Sequence, residues 1–361
     1  LELQTATDGS QIYFTYDGSI PSPENSSASL YTGAILVDRT TLLRARAFKS
    51  SYVHSPVRTQ TYIFLNDVIG QTIDPNNPAN NPFGLSYPAF WQQTYSGNYN
   101  MNQDVVAQWD DFNPSNLDFG IREALQSIPT MSIVMDHDDL WDPAIGIYPN
   151  AINEGSFWRR PGSIEYLDPS TGANFQYNVG VQMPGAASRD NLRLKKHSFR
   201  LIFNPEFDGP GRLNFPLFEG SDFADINTIV LKASFTDSFA TRTISGRYSP
   251  LDSTYTRDVW MLDSQRVMGS VAPLATYSHV YINGLYWGVH YVTERMDDAS
   301  LASHLGGEPE DWDVIKDFNE LFRGNSLAWN AMFNLARQIN AAPNKDAIYF
   351  ALQGRNPDGT L

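Results

Sequence analysis

The chain has 361 residues, 42% hydrophobic and 13% aromatic, which suits two or three folded domains and argues against disorder. Its 25 Lys and Arg stand against 40 Asp and Glu, and a net charge of −15 argues against broad nucleic-acid binding, because neutralising phosphates needs a basic surface. With no Cys there is neither a disulfide framework nor a thiolate zinc site, and no run reaches the roughly 18 apolar residues of a membrane span.

Residues 1–65 read as an all-β module. Gln11–Tyr16 runs into the turn signal Asp17-Gly18, Ala34–Val37 follows Tyr31-Thr32-Gly33, Thr40–Phe48 alternates, and Thr59–Leu65 is the last strand. Short strands between Gly, Pro and Ser turns predict a β-sandwich, expected to fold on its own and to carry no active site. Residues 66–127 form a connector with turn chemistry at Asp74–Pro78 and Asn80–Pro82, and a short helix is expected at Phe119–Gln126. From 128 to 361 the pattern is α+β. Strands are expected at Thr130–Met135, Ser163–Leu167, Tyr177–Met183, Ser198–Phe203, Asn227–Ala233, His279–Ile282 and Tyr286–Thr293, and helices at Tyr255–Met268, Asp297–His304 and Ser326–Gln338. A chain that begins at Leu1 and ends on Asn356-Pro357-Asp358-Gly359-Thr360-Leu361 reads as a fragment or processed form.

The segment from Val179 to Phe203 carries the first chemical constellation. Pro184-Gly185-Ala186-Ala187-Ser188 is a small-residue turn between two strands, where backbone N–H groups can approach a ligand, and Lys195, Lys196, His197 and Arg200 place positive charge beside it. Such a loop suits a polyphosphate; the plain alternative is an ordinary hairpin with a solvated basic strand end. On an alternating strand Lys196 and Arg200 share a face, so either can reach phosphate. Asp136-His137-Asp138-Asp139 has metal-ligand residue types, yet an Asp between a strand and Leu140-Trp141 is an expected helix N-cap, which is the preferred reading. Asn283-Gly284 signals a hairpin.

Two segments resemble known families. Asp17-Gly18-Ser19-Ile20-Pro21, Tyr31-Thr32-Gly33 and Leu43–Phe48 resemble the immunoglobulin-like module at the C-terminus of chitobiases and hexosaminidases, an accessory domain without catalytic residues. Gly185-Ala186-Ala187-Ser188-Arg189, Lys196-His197-Ser198-Phe199-Arg200-Leu201 and Tyr281–Gly288 resemble the CotH (spore coat protein H) kinase-like family of atypical protein kinases. Pro184 and Ala186 stand where that family commonly has His and Gly.

The CotH resemblance implies a kinase-like α+β domain over 128–361, using ATP and Mg to phosphorylate a protein hydroxyl. It also implies a bacterial, secreted or cell-envelope setting and an envelope or coat protein as substrate. Gly185, Ser188, Arg189, Lys196, Arg200, Asp258 and Glu294 are its nucleotide-binding candidates. Asp258 either pairs with Lys196 as the ordering acid of kinases does or answers the helix dipole. Glu294 is either a hinge or ribose contact or the partner of Arg295. No catalytic or metal-binding residue is assigned, and Asp311, Asp313 and Asp317 are given no such role. The family's catalytic aspartates lie in a second lobe that this chain is expected to lack in part, leaving it inactive alone. The competing reading is a non-catalytic surface protein that binds glycan or protein, with glycan contact through the N-terminal module.

Overall fold

A computed structural model describes residues 1–91, 95–109, 120–190, 193–219, 226–241, 250–316 and 319–360. The chain divides into two compact units, Leu1–Arg295 and Met296–Leu361. It is α+β, with a sheet-rich N-terminal region.

The first unit opens with an antiparallel sheet of β1 (Gln11–Thr15), β2 (Ser29–Leu30), β3 (Thr41–Phe48) and β4 (Arg58–Tyr62), ordered β2-β1-β3-β4. The strand expected at Ala34–Val37 does not form: the backbones of Leu1 and Ile35 bond each other instead, both at 2.8 Å. Where a sandwich has two facing sheets, this sheet has the wall of the next domain against it. Thr59 Oγ1 lies 2.6 Å from Ser163 Oγ, Thr61 Oγ1 lies 2.9 Å from Ser132 Oγ, and Thr61 N donates to Glu165 Oε1 at 2.9 Å.

The connector holds α1 (Leu65–Ile69), β5 (Phe90–Trp91), β6 (Tyr95–Ser96), α2 (Gln103–Gln108) and α3 (Ile121–Gln126), more regular structure than its Asn and Pro content suggests. Asn102 caps α2 by accepting from Asp104 N and Val105 N. Its Tyr87, Trp91 and Tyr99 are buried in the same core as the strands that follow.

A closed barrel comes next. Its strands are β7 (Thr130–Met135), β8 (Arg160–Leu167), β9 (Asn174–Gln182), β10 (Phe199–Ile202), β11 (Thr228–Lys232), β12 (Ala275–Ile282) and β13 (Leu285–Glu294), ordered β10-β11-β13-β12-β7-β8-β9. Neighbours are antiparallel except β12 and β7, whose parallel pairing closes the ring. Alternation sends Met131, Ile133, Ile164, Val179, Val181, Phe199, Leu201, Ile229, Leu231, Val280 and Ile282 into one core. All of β7 is buried, because its second face lies against the N-terminal sheet. Helix α4 (His137–Trp141) follows β7, and Asp136 caps it by accepting from Asp138 N at 2.9 Å. Helix α5 (Arg257–Val267) lies on the barrel's outer face beside β12.

The second unit comprises α6 (Asp298–Leu305), the hairpin β14 (Val314–Lys316) and β15 (Glu320–Arg323), α7 (Leu327–Gln338) and α8 (Lys345–Leu352). The hairpin and α8 were not expected from the sequence. Asp311 caps its own turn at Glu308 N, and Asp313 holds Asn325 N at 2.7 Å. Asp317 lies outside the described residues.

Candidate functional site

The register sorts the candidate residues by barrel end. The loops 136–159, 183–198 and 233–241 and the tip of the β12–β13 hairpin leave at one end. Glu294 closes β13 at the other.

At the first end, Gly185 sits at φ +105, and a Cβ there would stand 2.1 Å from Ser188 Oγ, so only glycine makes this turn. The Ser188 carbonyl lies 3.1 Å from His197 Nδ1, which makes Nδ1 the protonated ring nitrogen. Arg189 points inward. Its guanidinium donates to the carbonyls of Gly185, Ala151, Ile152 and Asn153 and pairs with Glu154, clamping the neighbouring loop.

Lys196 precedes β10 rather than lying on it. Its Nζ donates to the Trp287 carbonyl at 3.1 Å and lies 4.5 Å from the centroid of that indole. No carboxylate lies within ion-pair distance of it among the described residues, and burial pushes its pKa down to about 8. His197 and His290 are buried alongside, both pushed down to about 4 by desolvation.

The barrel's outer face gathers a second group. Arg200 pairs across strands with Gln182 and Val230, and its guanidinium donates to the Gln182 side-chain oxygen. On the same face Lys232 stands opposite Tyr291, its Nζ 5.4 Å from the ring centroid. Tyr291 OH donates to Asp258 Oδ2 at 2.6 Å. Burial lowers the Lys232 pKa, partly offset by the Asp258 charge, while burial first and then the Asp258 hydrogen bond raise that of Tyr291.

These placements separate residues that the sequence grouped. Asp258 faces Tyr291 and Lys232, whereas Lys196 meets Trp287. Glu294 is seven positions beyond Trp287, about 20 Å along an extended strand. Its carboxylate accepts from Leu274 N at 2.9 Å. Sequence reading passed over Lys232, although Thr228–Lys232 is an apolar strand ending in lysine, followed by a helix that opens on Arg257-Asp258. It also passed over Asp237, a buried carboxylate in a loop.

The class of protein is thus an α+β barrel carrying a helix-borne carboxylate beside a strand lysine, behind a sheet-rich module. Residues 181–356 match the family described as CotH kinase protein, and residues 1–59 match the Chitobiase/beta-hexosaminidase C-terminal domain. The two matches stand in the order that the sequence motifs indicate, and the second supports a kinase-like function in general. No curated protein matches the chain. Among the described residues no helix is long and apolar enough to cross a membrane.

Proposed function

We propose that the chain is the nucleotide-binding portion of an atypical protein kinase that transfers a phosphoryl group from ATP to a protein hydroxyl. The observation that carries the reading is the placement of Lys232, Tyr291 and Asp258 on one face, within the segment that matches the CotH kinase family. Phosphoryl transfer depends mainly on positioning and charge stabilisation, and a strand lysine with a helix carboxylate nearby is suited to holding a phosphate. Bound there, ATP supplies the transferable phosphoryl group. Lys232 offers the cation, Asp258 and Tyr291 limit where its ammonium can go, and the Gly185 turn offers exposed backbone N–H groups. Lys196 is the second cationic candidate, and Arg200 lies on the same outer face as Lys232.

Described residues supply no group of three metal-ligating side chains. A divalent metal belongs to the proposal through the family alone, and no step is routed through it. The proposal includes inactivity of this chain by itself, a secreted or cell-envelope setting in a bacterium, and a coat or envelope protein as substrate.

Binding is the test. ATP with Mg should raise the melting temperature saturably, as any ligand specific to the folded state must. Lys232→Ala should weaken binding about ten- to a hundredfold, the worth of a charge-assisted contact. A loss confined to Lys196→Ala would move the phosphate site to the barrel end. No shift with the unaltered chain would sink the reading and favour a glycan- or protein-binding surface protein.

A further inference from the structure

Helix α5 lacks a cap of its own. Thr256 at its N-cap makes no side-chain capping bond, its hydroxyl donating to Thr254 Oγ1 at 3.1 Å instead, and Val259 is the helix's buried residue. Trp260 is 66% exposed and Met261 58% exposed, so the helix rests lightly on the barrel. Its first turn is held from outside. Asp237, 3% exposed and twenty residues earlier, accepts from Arg257 N at 3.1 Å and from Thr254 N at 2.7 Å. Thr254 Oγ1 donates to the same carboxylate at 3.1 Å, and Arg257 Nη1 pairs with it at 3.4 Å.

Between those contacts sits Tyr255, at φ +61. A non-glycine residue there is strained and persists only where its surroundings over-determine it. The surroundings do so. Tyr277 OH donates to the Tyr255 carbonyl at 3.0 Å, Ser238 Oγ lies 2.9 Å from Tyr255 OH, and Phe239 N donates to that hydroxyl at 3.2 Å. A strained residue, a buried external cap and a lightly seated helix thus meet within the four residues before Asp258.

We propose that Asp237 is a positioning residue: it holds the first turn of α5 so that Asp258 stays on Tyr291, beside Lys232. The proposal rests on the reading of Lys232 and Asp258 as the phosphate-holding pair. Desolvating Asp237 opposes its ionisation, and the hydrogen bonds from Thr254 and Arg257 more than offset this, so the pKa falls. The carboxylate is therefore charged and acceptor-only, the form that a helix N-terminus requires.

The test compares the unaltered 361-residue chain with Asp237→Ala and with the milder Thr254→Ala, which removes from an exposed residue one side-chain donor to Asp237 together with the hydroxyl's bonds to Thr256 N and Oγ1. Amide hydrogen exchange is followed in Val259–Leu262 and in β12 and β13, and binding of ATP with Mg is set against binding of adenosine. Asp237→Ala should cost α5 about tenfold or more in protection while β12 and β13 keep theirs, with Thr254→Ala intermediate. ATP affinity should fall about tenfold and adenosine affinity should hold. Unchanged α5 protection in both variants overturns the proposal. So does a uniform loss across helix and strands, which would mark Asp237 as ordinary core, and so does equal weakening of ATP and adenosine. If the unaltered chain binds no ATP, the kinase reading falls, and selective loss of α5 protection still supports the positioning role.

Discussion

Lys196, His197 and His290 are basic side chains that the fold keeps from water, and each makes a signed prediction. A neutral imidazole costs nothing above its ordinary pKa near 6.5. As pH falls the unfolded chain takes up a proton that the buried ring refuses until about pH 4. Stability is thus full above about 6.5 and is lost on acidification at about 1.4 kcal/mol per pH unit for each ring. Urea unfolding at pH 7 and pH 5 should show the drop, and His290→Leu, which removes a ring whose Nδ1 has no partner, should remove about half of it. Equal losses by parent and variant would contradict this. Lys196 behaves alike at higher pH. Its pKa lies near 8 in the folded chain and near 10.5 when exposed, so its stabilising share is present at high pH and is lost as pH falls toward 8. Lys196→Met should raise the melting temperature at pH 7, with the gain shrinking by pH 10. A lower melting temperature at pH 7 would mean that the Trp287 contacts outweigh desolvation.

At the scale of elements, the β12–β13 turn is the best-specified joint. Asn283 and Gly284 both take positive φ, at 45° and 77°, as a two-residue hairpin turn demands. The Asn283 side chain then bonds both Met135 N and Met135 O at 2.9 Å, standing in for a neighbouring strand at the end of β7. Gly18 of the N-terminal sheet approaches the same spot. At φ +84 its missing Cβ would stand 2.3 Å from the Met135 carbonyl. Gly18→Ala should therefore cost roughly 1–3 kcal/mol or more, read as a lower denaturant midpoint with an unchanged slope.

The seven barrel strands and helices α5, α6 and α7 were legible, because alternating apolar residues and caps are local signals. Asn283-Gly284 announced its turn for the same reason. The pairing of Lys196 with Trp287 and of Asp258 with Tyr291 was not legible, since register across distant strands leaves no trace in either segment alone. The placement of Trp91 in the core was hidden by the Asn- and Pro-rich sequence around it.

Across the whole molecule, the N-terminal sheet and the barrel share a buried polar seam. Glu165 is 2% exposed, and its pKa is raised by burial, with the Thr61 hydrogen bonds as a partial offset. A carboxyl with a raised folded pKa stabilises below its ordinary value, near 4.5, and loses that contribution as pH rises through the raised one. Glu165→Gln keeps an acceptor for Thr61 N and removes the charge, its NH2 donating to Thr61 Oγ1 in turn, so the variant should melt above the parent at pH 8 and converge with it near pH 4. A gap that fails to narrow on acidification would place the effect elsewhere. The ring closure between β7 and β12 has a consequence for the order in which the chain acquires structure. Met135 and Asn283 are 148 residues apart, so β7, β8 and β9 are made long before the strand that completes them. Until then β7 presents an unpaired edge carrying Met131, Ile133, Val134 and Met135, the kind of surface that recruits other chains. Newly made protein should need shielding during that interval, and nascent chains stalled before Tyr281 should be cut by protease within β7, while chains stalled well beyond Glu294 resist.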